Sequence, residues 1–106
     1  MKIGSAIKSI RKKLDVPQWE LAEKCELSQT SMSQIENNIK RPHPKTVAKI
    51  CEVLEIPESI IYIIAMEDID VPSNKKATYS LVYPSIKSLA LQLVKKSSMD
   101  VVDVEE

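Results

Sequence analysis

Between Gln18 and Glu36 the chain reads QWELAEKCELSQTSMSQIE. A helix starting just after Ser28 would turn Gln29, Thr30, Ser33 and Gln34 outward. Their amides and hydroxyls can donate and accept hydrogen bonds, which is the chemistry needed to probe the edges of stacked bases. A helix that merely faced water would carry Lys and Glu at those positions. Glutamine can pair bidentately with adenine N6 and N7, and threonine can touch a thymine methyl. Lys40 and Arg41 follow the segment directly. Two cations there could meet phosphate, positioning the protein without reading sequence.

Such side chains act only if a rigid frame presents them. Prolines punctuate that frame. Pro17, Pro44, Pro57 and Pro84 each precede an apolar segment with helical spacing, and proline suits a first helical turn because its missing N–H would be unpaired there anyway. They are therefore read as helix starts, with Pro42 and Pro72 as breakers in connections. A first helix covers Ile3–Lys13, with Ile3, Ala6, Ile7, Ile10 and Leu14 on one face. A second spans residues 17–24 and buries Leu21, Ala22 and Cys25. Asp15 and Gln18 have capping-box spacing, which leaves its start open by a residue or two. Ser28 caps a third helix, which buries Met32 and Ile35 and ends near Asn37 and Asn38, where Asn tolerates a left-handed backbone. The fourth, Pro44–Leu54, buries Val47, Ile50, Cys51 and Leu54.

Residues 60–66, IIYIIAM, are apolar all round. They form a fifth helix that must be covered on both sides, by the core and by either the C-terminal region or a second subunit. Residues 67–74 connect. A short helix over 74–82 precedes a longer one over 83–96, with Ile86, Leu89, Ala90, Leu93 and Val94 on one face. The acidic end, residues 97–106, is expected to be a flexible tail.

Composition narrows the function. The 106 residues suit one small domain, and the single Gly disfavours a hairpin-rich β fold. Net charge is zero, yet residues 1–49 hold ten Lys/Arg against five acids, a balance of +5, and the remainder is −5. A basic front facing an anion fits that asymmetry. No apolar run approaches a membrane span and no signal-peptide core is visible, so a cytoplasmic setting without membrane contact is expected. Cys25 and Cys51 are read as buried thiols rather than a disulfide or metal site, and His43 adds no convincing ligand set. No cofactor motif or catalytic constellation is present, so an enzyme is not expected.

Ile3-Gly4, Ile7, Arg11, Gln18, Glu20-Leu21-Ala22, Leu27-Ser28, Ser33, Ile35-Glu36, Pro42, Val47-Ala48-Lys49-Ile50 and Leu54 together form a pattern across four helices. In it, the chain resembles the Cro-like, phage-repressor-type (XRE) helix-turn-helix family. The resemblance implies an all-α fold: a five-helix lambda-repressor-like DNA-binding domain over residues 1–66, with a helical extension over 67–96 as a candidate dimerisation element. It implies a sequence-specific regulator of transcription, a repressor, whose third helix enters the major groove of double-stranded DNA. Base contacts then fall to Gln29, Thr30, Ser33 and Gln34, and phosphate contacts to Gln18, Ser31, Asn37, Lys40 and Arg41. Arg11 and Glu36 form a structural ion pair. A homodimer is the expected state, through residues 60–66 or 86–94. Two other readings stand beside this one: an antitoxin with a toxin partner, and a protein-interaction module without DNA binding. The chain departs from the family pattern where Asp15, Glu26 and Asn38 replace frequent glycines and Pro17 replaces a hydroxyl or amide cap, so strained or rearranged turns are expected. Trp19 either packs over the first helix, the favoured reading, or lies against a DNA backbone.

Overall fold

Six α-helices run through residues 1–94, the part of the chain that the computed structural model describes. They are α1 (Ile3–Lys13), α2 (Gln18–Lys24), α3 (Gln29–Glu36), α4 (Pro44–Leu54), α5 (Glu58–Ala65) and α6 (Lys76–Val94). Two 3-10 turns, Asp68–Asp70 and Ser73–Lys75, link α5 to α6. No strand occurs among the described residues. The tail expected over 97–106 and the end of the helix expected over 83–96 lie outside them.

The helix starts follow local chemistry. Pro17 and Pro57 sit in extended backbone just before α2 and α5, and Pro44 is the first residue of α4. No side chain caps α2, so Asp15 and Gln18 form no capping box. Ser28 Oγ accepts the Ser31 N–H at 3.0 Å, and His43 Nδ1 accepts the Lys45 N–H at 3.1 Å. Each satisfies one of the donors that a helix start leaves unpaired.

Pro84 does not start a helix. It lies inside α6, which runs through where a short and a longer helix were expected. Proline has no N–H to offer the Ser80 carbonyl, but both residues are exposed and water can take that place. Tyr79 and Tyr83, stacked at 4.7 Å, anchor the helix on either side of the interruption. Tyr83 Oη donates to the carbonyls of Ile63 at 2.6 Å and Ile64 at 3.0 Å, and Tyr79 Oη to that of Met66 at 3.1 Å. The tyrosines thus supply donors to carbonyls at the end of α5, where, among the described residues, only the Ile63 carbonyl also receives a backbone N–H, that of Met66 at 3.4 Å.

Four corners turn through a left-handed residue, and none is Gly: Asp15, Glu26, Asn38 and Glu55, with φ of 59°, 60°, 61° and 59°. The turn between α2 and α3 therefore keeps its bend at Glu26 instead of rearranging. A left-handed backbone at such a residue costs about 1–2 kcal/mol, less for Asn.

Ile7, Ile10, Leu21, Met32, Ile50 and Ile61 are completely buried at the centre. α1 packs against α3, α5 and α6. It approaches α3 so closely that a Cβ at Gly4 would land on the Ile35 carbonyl oxygen. The chain's single glycine is placed where only hydrogen fits. Beside it, Asn38 Nδ2 donates to Ser5 Oγ at 2.7 Å.

α5 buries Ile60, Ile61, Ile64 and Ala65 under α1, α4 and α6. The C-terminal region, through α6, covers its other side. On α6, by contrast, only Ala90 and Val94 of the expected apolar face are buried; Ile86, Leu89 and Leu93 stay exposed. The tyrosine anchors set which side of α6 meets the core, and that side lies roughly a quarter turn from the Ile/Leu stripe. At the other edge, the Met1 ammonium lies 3.0 Å from Glu67 Oε1 and 3.1 Å from Asp70 Oδ2. Hydrogen bonds to Glu67 and then Asp70 raise the amine above its ordinary pKa. No helix among the described residues is long and apolar enough to cross a membrane.

Candidate functional site

What lies beneath α3 decides what lies on it. Met32 and Ile35 fix its inner side in the core. Gln29, Thr30 and Gln34 are consequently exposed and Ser33 half-buried. These four residues and Gln18, from the first turn of α2, line one shallow surface cleft of about 380 Å³. No charged residue lines it. Its walls offer amide and hydroxyl groups alone.

Glu36 is the only ionisable residue of α3, and its side chain is 1% exposed. Arg11 reaches it from α1 with two parallel bonds, Nε to Oε2 at 2.7 Å and Nη2 to Oε1 at 2.9 Å. Arg11 Nη1 donates to the Val16 carbonyl at 2.8 Å, and Gln18 Nε2 donates to Glu36 Oε1 at 3.0 Å. The carboxylate thus ties the end of α3 to α1 and to the start of α2. Charge-assisted fork geometry of this kind fixes orientation as well as adding energy. The Gln18 amide, expected at a phosphate, is engaged inside the protein and sets one wall of the cleft.

The remaining sequence-selected residues fall elsewhere. Ser31 is half-buried on the flank of α3 and does not line the cleft. Asn37 follows the last turn of α3, and its Nδ2 donates to Ser33 Oγ at 3.3 Å. Lys40 and Arg41 are exposed and line a separate hollow of about 100 Å³ with Met1, Ile3, Gly4, Asn38 and Pro42. The Ile39 and Lys40 N–H groups both donate to the Gln34 carbonyl, at 2.9 and 3.1 Å, so this loop is folded back onto α3. The cations stand beside the amide cleft rather than in it.

Three residues matter more than their sequence context indicated. Asn38, read as a helix terminator, also clamps α1 through Ser5. Trp19 is 55% exposed, so it is not the lid over α1 that a packing role requires. Ile39, beside Lys40, is 74% exposed. Gly4 was the available signal for the first, since a lone glycine in a helix points to a close crossing; for Trp19 its place at the start of α2 allowed an exposed reading, and nothing in the sequence pointed to the exposure of Ile39. Cys25 and Cys51 are free and buried, and burial pushes the Cys51 thiol up to about 11. Among the described residues, no three His, Cys, Asp or Glu gather closely enough to hold a metal ion.

Residues 7–61 match a family model described as helix-turn-helix. No curated protein and no solved structure matches the chain.

Proposed function

The chain belongs to the helix-turn-helix family, in its Cro-like, phage-repressor form, a family of DNA-binding regulators; on that premise we propose that it is a sequence-specific repressor of transcription that reads the major groove with α3. The observation that carries the proposal is the uncharged cleft formed by Gln18, Gln29, Thr30, Ser33 and Gln34. Gln29, Thr30 and Gln34 contact base edges, and Ser33 works at the limit of reach. Lys40 and Arg41 contact phosphate at one end of the cleft, with Asn37 and Ser31 adding neutral donors. Gln18 serves a phosphate through the first N–H groups of α2, while its side chain holds Glu36. The protein acts as a homodimer on two half-sites about one helical turn apart, in the cytoplasm where the DNA is.

Selection from a random pool of duplex DNA tests this. The wild-type chain should enrich one sequence. Gln29→Ala with Thr30→Ala should fold, bind DNA weakly and enrich none. If the double variant still enriches the wild-type sequence, the assignment of these residues is wrong.

A further inference from the structure

Two hollows lie side by side along α6, and Lys87 lines both. The larger, about 410 Å³, has Lys13 from the end of α1 on one side and Pro84, Lys87, Ser88, Leu91 and Gln92 of α6 on the other. The smaller, about 150 Å³, follows α1 past Ser9 and Ser5 to Lys2. Helices α1 and α6 thus border one groove. Lys2, Lys13 and Lys87 line it, and Glu67 is the only acid to do so among the described residues. Glu67 stands at the far end, 3.0 Å from the Met1 ammonium. Lys13 and Lys87 pair with no carboxylate among the described residues. Pro84 and the half-buried Leu91 add apolar surface between them.

Such a groove suits an occupant in which carboxylates and apolar side chains are interleaved. The chain carries one. Beyond α6 it reads KKSSMDVVDVEE over residues 95–106. Residues 97–106 hold Asp100, Asp103, Glu105 and Glu106 and no Lys or Arg, with Met99, Val101, Val102 and Val104 set among them.

Reach is sufficient. Lys87 lies seven residues back from Val94, about 10 Å along the helix. Asp100 lies six residues beyond Val94 and can stand up to roughly 20 Å from it. The difference leaves slack for the chain to turn back. Exposed ion pairs are individually weak, but a short tether holds the segment at a local concentration on the order of mM. A separate acidic protein would have to displace a segment that is always at hand.

We propose that residues 99–106 fold back into this groove, with carboxylates on Lys13 and Lys87 and apolar side chains on Pro84 and Leu91. Seated there, the segment fastens α6 to α1, a contact that complements the two tyrosine anchors on α5. Lys40 and Arg41 line a different hollow and the amide cleft lies on α2 and α3, so the seat leaves the candidate DNA face open. It stands whether or not α3 reads bases.

Nuclear magnetic relaxation of the full chain without DNA tests it, at about 50 mM salt, where surface charges are weakly screened. Backbone order parameters over residues 100–104 should approach the roughly 0.85 of a rigid backbone, against less than about 0.6 for a free chain end. Lys13→Gln with Lys87→Gln should bring them below about 0.6. Asp100→Asn with Asp103→Asn should do the same and shift the Ser88, Leu91 and Gln92 amide signals, although it alters no residue of the six helices. This second variant keeps the test decisive should the first misfold. Tenfold dilution should change nothing, because a tethered contact does not depend on concentration. A wild-type segment below about 0.6 overturns the proposal. So does order that survives the removal of either set of charges, or order that fades on dilution, the mark of a segment from another copy.

Discussion

Removing Arg11 while leaving Glu36 in place should cost the fold about 3–5 kcal/mol. Glu36 is 1% exposed and Arg11 9%. In Arg11→Met the aliphatic stem is kept, so packing changes little. The carboxylate loses the bonds at 2.7 and 2.9 Å and keeps only the Gln18 amide at 3.0 Å. The Val16 carbonyl also loses its guanidinium donor. The penalty is large because an unpaired buried charge remains, and it compares with a total stability of about 5–15 kcal/mol for a domain of this kind. Thermal midpoints should fall by roughly 12–40 °C, at about 4–8 °C per kcal/mol. Urea unfolding followed by circular dichroism measures the loss, provided the slope against denaturant is unchanged.

The double variant Arg11→Met with Glu36→Leu distinguishes this account from a simple loss of contacts. Replacing both charges with apolar groups removes the uncompensated ion, so stability should return to within about 1–2 kcal/mol of wild type. Gln18 would still lack its partner, so the repaired protein should hold its cleft wall loosely and bind its DNA site less tightly. A cost below about 1 kcal/mol for Arg11→Met, the value of a solvated pair, would refute the reasoning. So would a double variant whose loss equals the two single losses added together.

Glu26→Gly should stabilise the protein by about 0.5–1 kcal/mol, because relief of a left-handed φ outweighs the added freedom of the unfolded chain; a lower urea midpoint would show that Glu26 is unstrained. Lys40→Ala should weaken binding to every DNA sequence and reduce the slope of log K against log salt by about 0.9, and an unchanged slope would remove Lys40 from the phosphate contacts. With Cys51 pushed from 9.0 to about 11, its thiolate at pH 8 should be about 100-fold scarcer than that of an ordinary thiol. Alkylation of the native protein should therefore follow unfolding, accelerating in urea in step with the loss of helix. Fast labelling of the folded chain would contradict the burial.

Helices α2 to α5 were legible because each carries a local signal, a proline or Ser28 at its start and apolar residues at helical spacing; α1, which has no such start, was legible from its apolar spacing alone. The left-handed turns at Asp15, Glu26 and Asn38 could be anticipated from the family pattern, whereas Glu55 could not, since nothing local marks it. The α6 region was misread at Pro84 because proline reports on its own N–H and not on whether water can take over the orphaned carbonyl. The same helix shows why apolar spacing alone cannot assign a buried face. Ile86, Leu89 and Leu93 have the right periodicity, but two tyrosine hydroxyls 13 to 20 residues from their carbonyl partners decide the rotation of the helix. The polar side chains of the candidate site were legible by type. The resemblance implied the Arg11–Glu36 pair, but not that the Gln18 side chain joins it, because that bond links three helices and exists only after they pack.

The neutrality of α3 carries a further consequence. On the proposed reading, phosphate contacts from Lys40 and Arg41 would attract every DNA sequence equally and raise specific and non-specific affinity together. Amide contacts contribute only where a base edge matches them, and a mismatch leaves a desolvated amide unpaired. On the same reading, a cleft lined by Gln29, Thr30, Ser33 and Gln34 would contribute to discrimination more than to overall affinity. Gln34→Lys would move one position from the second role to the first. Affinity for random duplex DNA should rise, the salt slope should steepen by about 0.9, and the preference for the selected site should fall by the roughly 1–3 kcal/mol of a lost bidentate contact. Competition between the selected site and random DNA at fixed salt measures that ratio. A ratio that holds while overall affinity rises would mean that Gln34 reads no base.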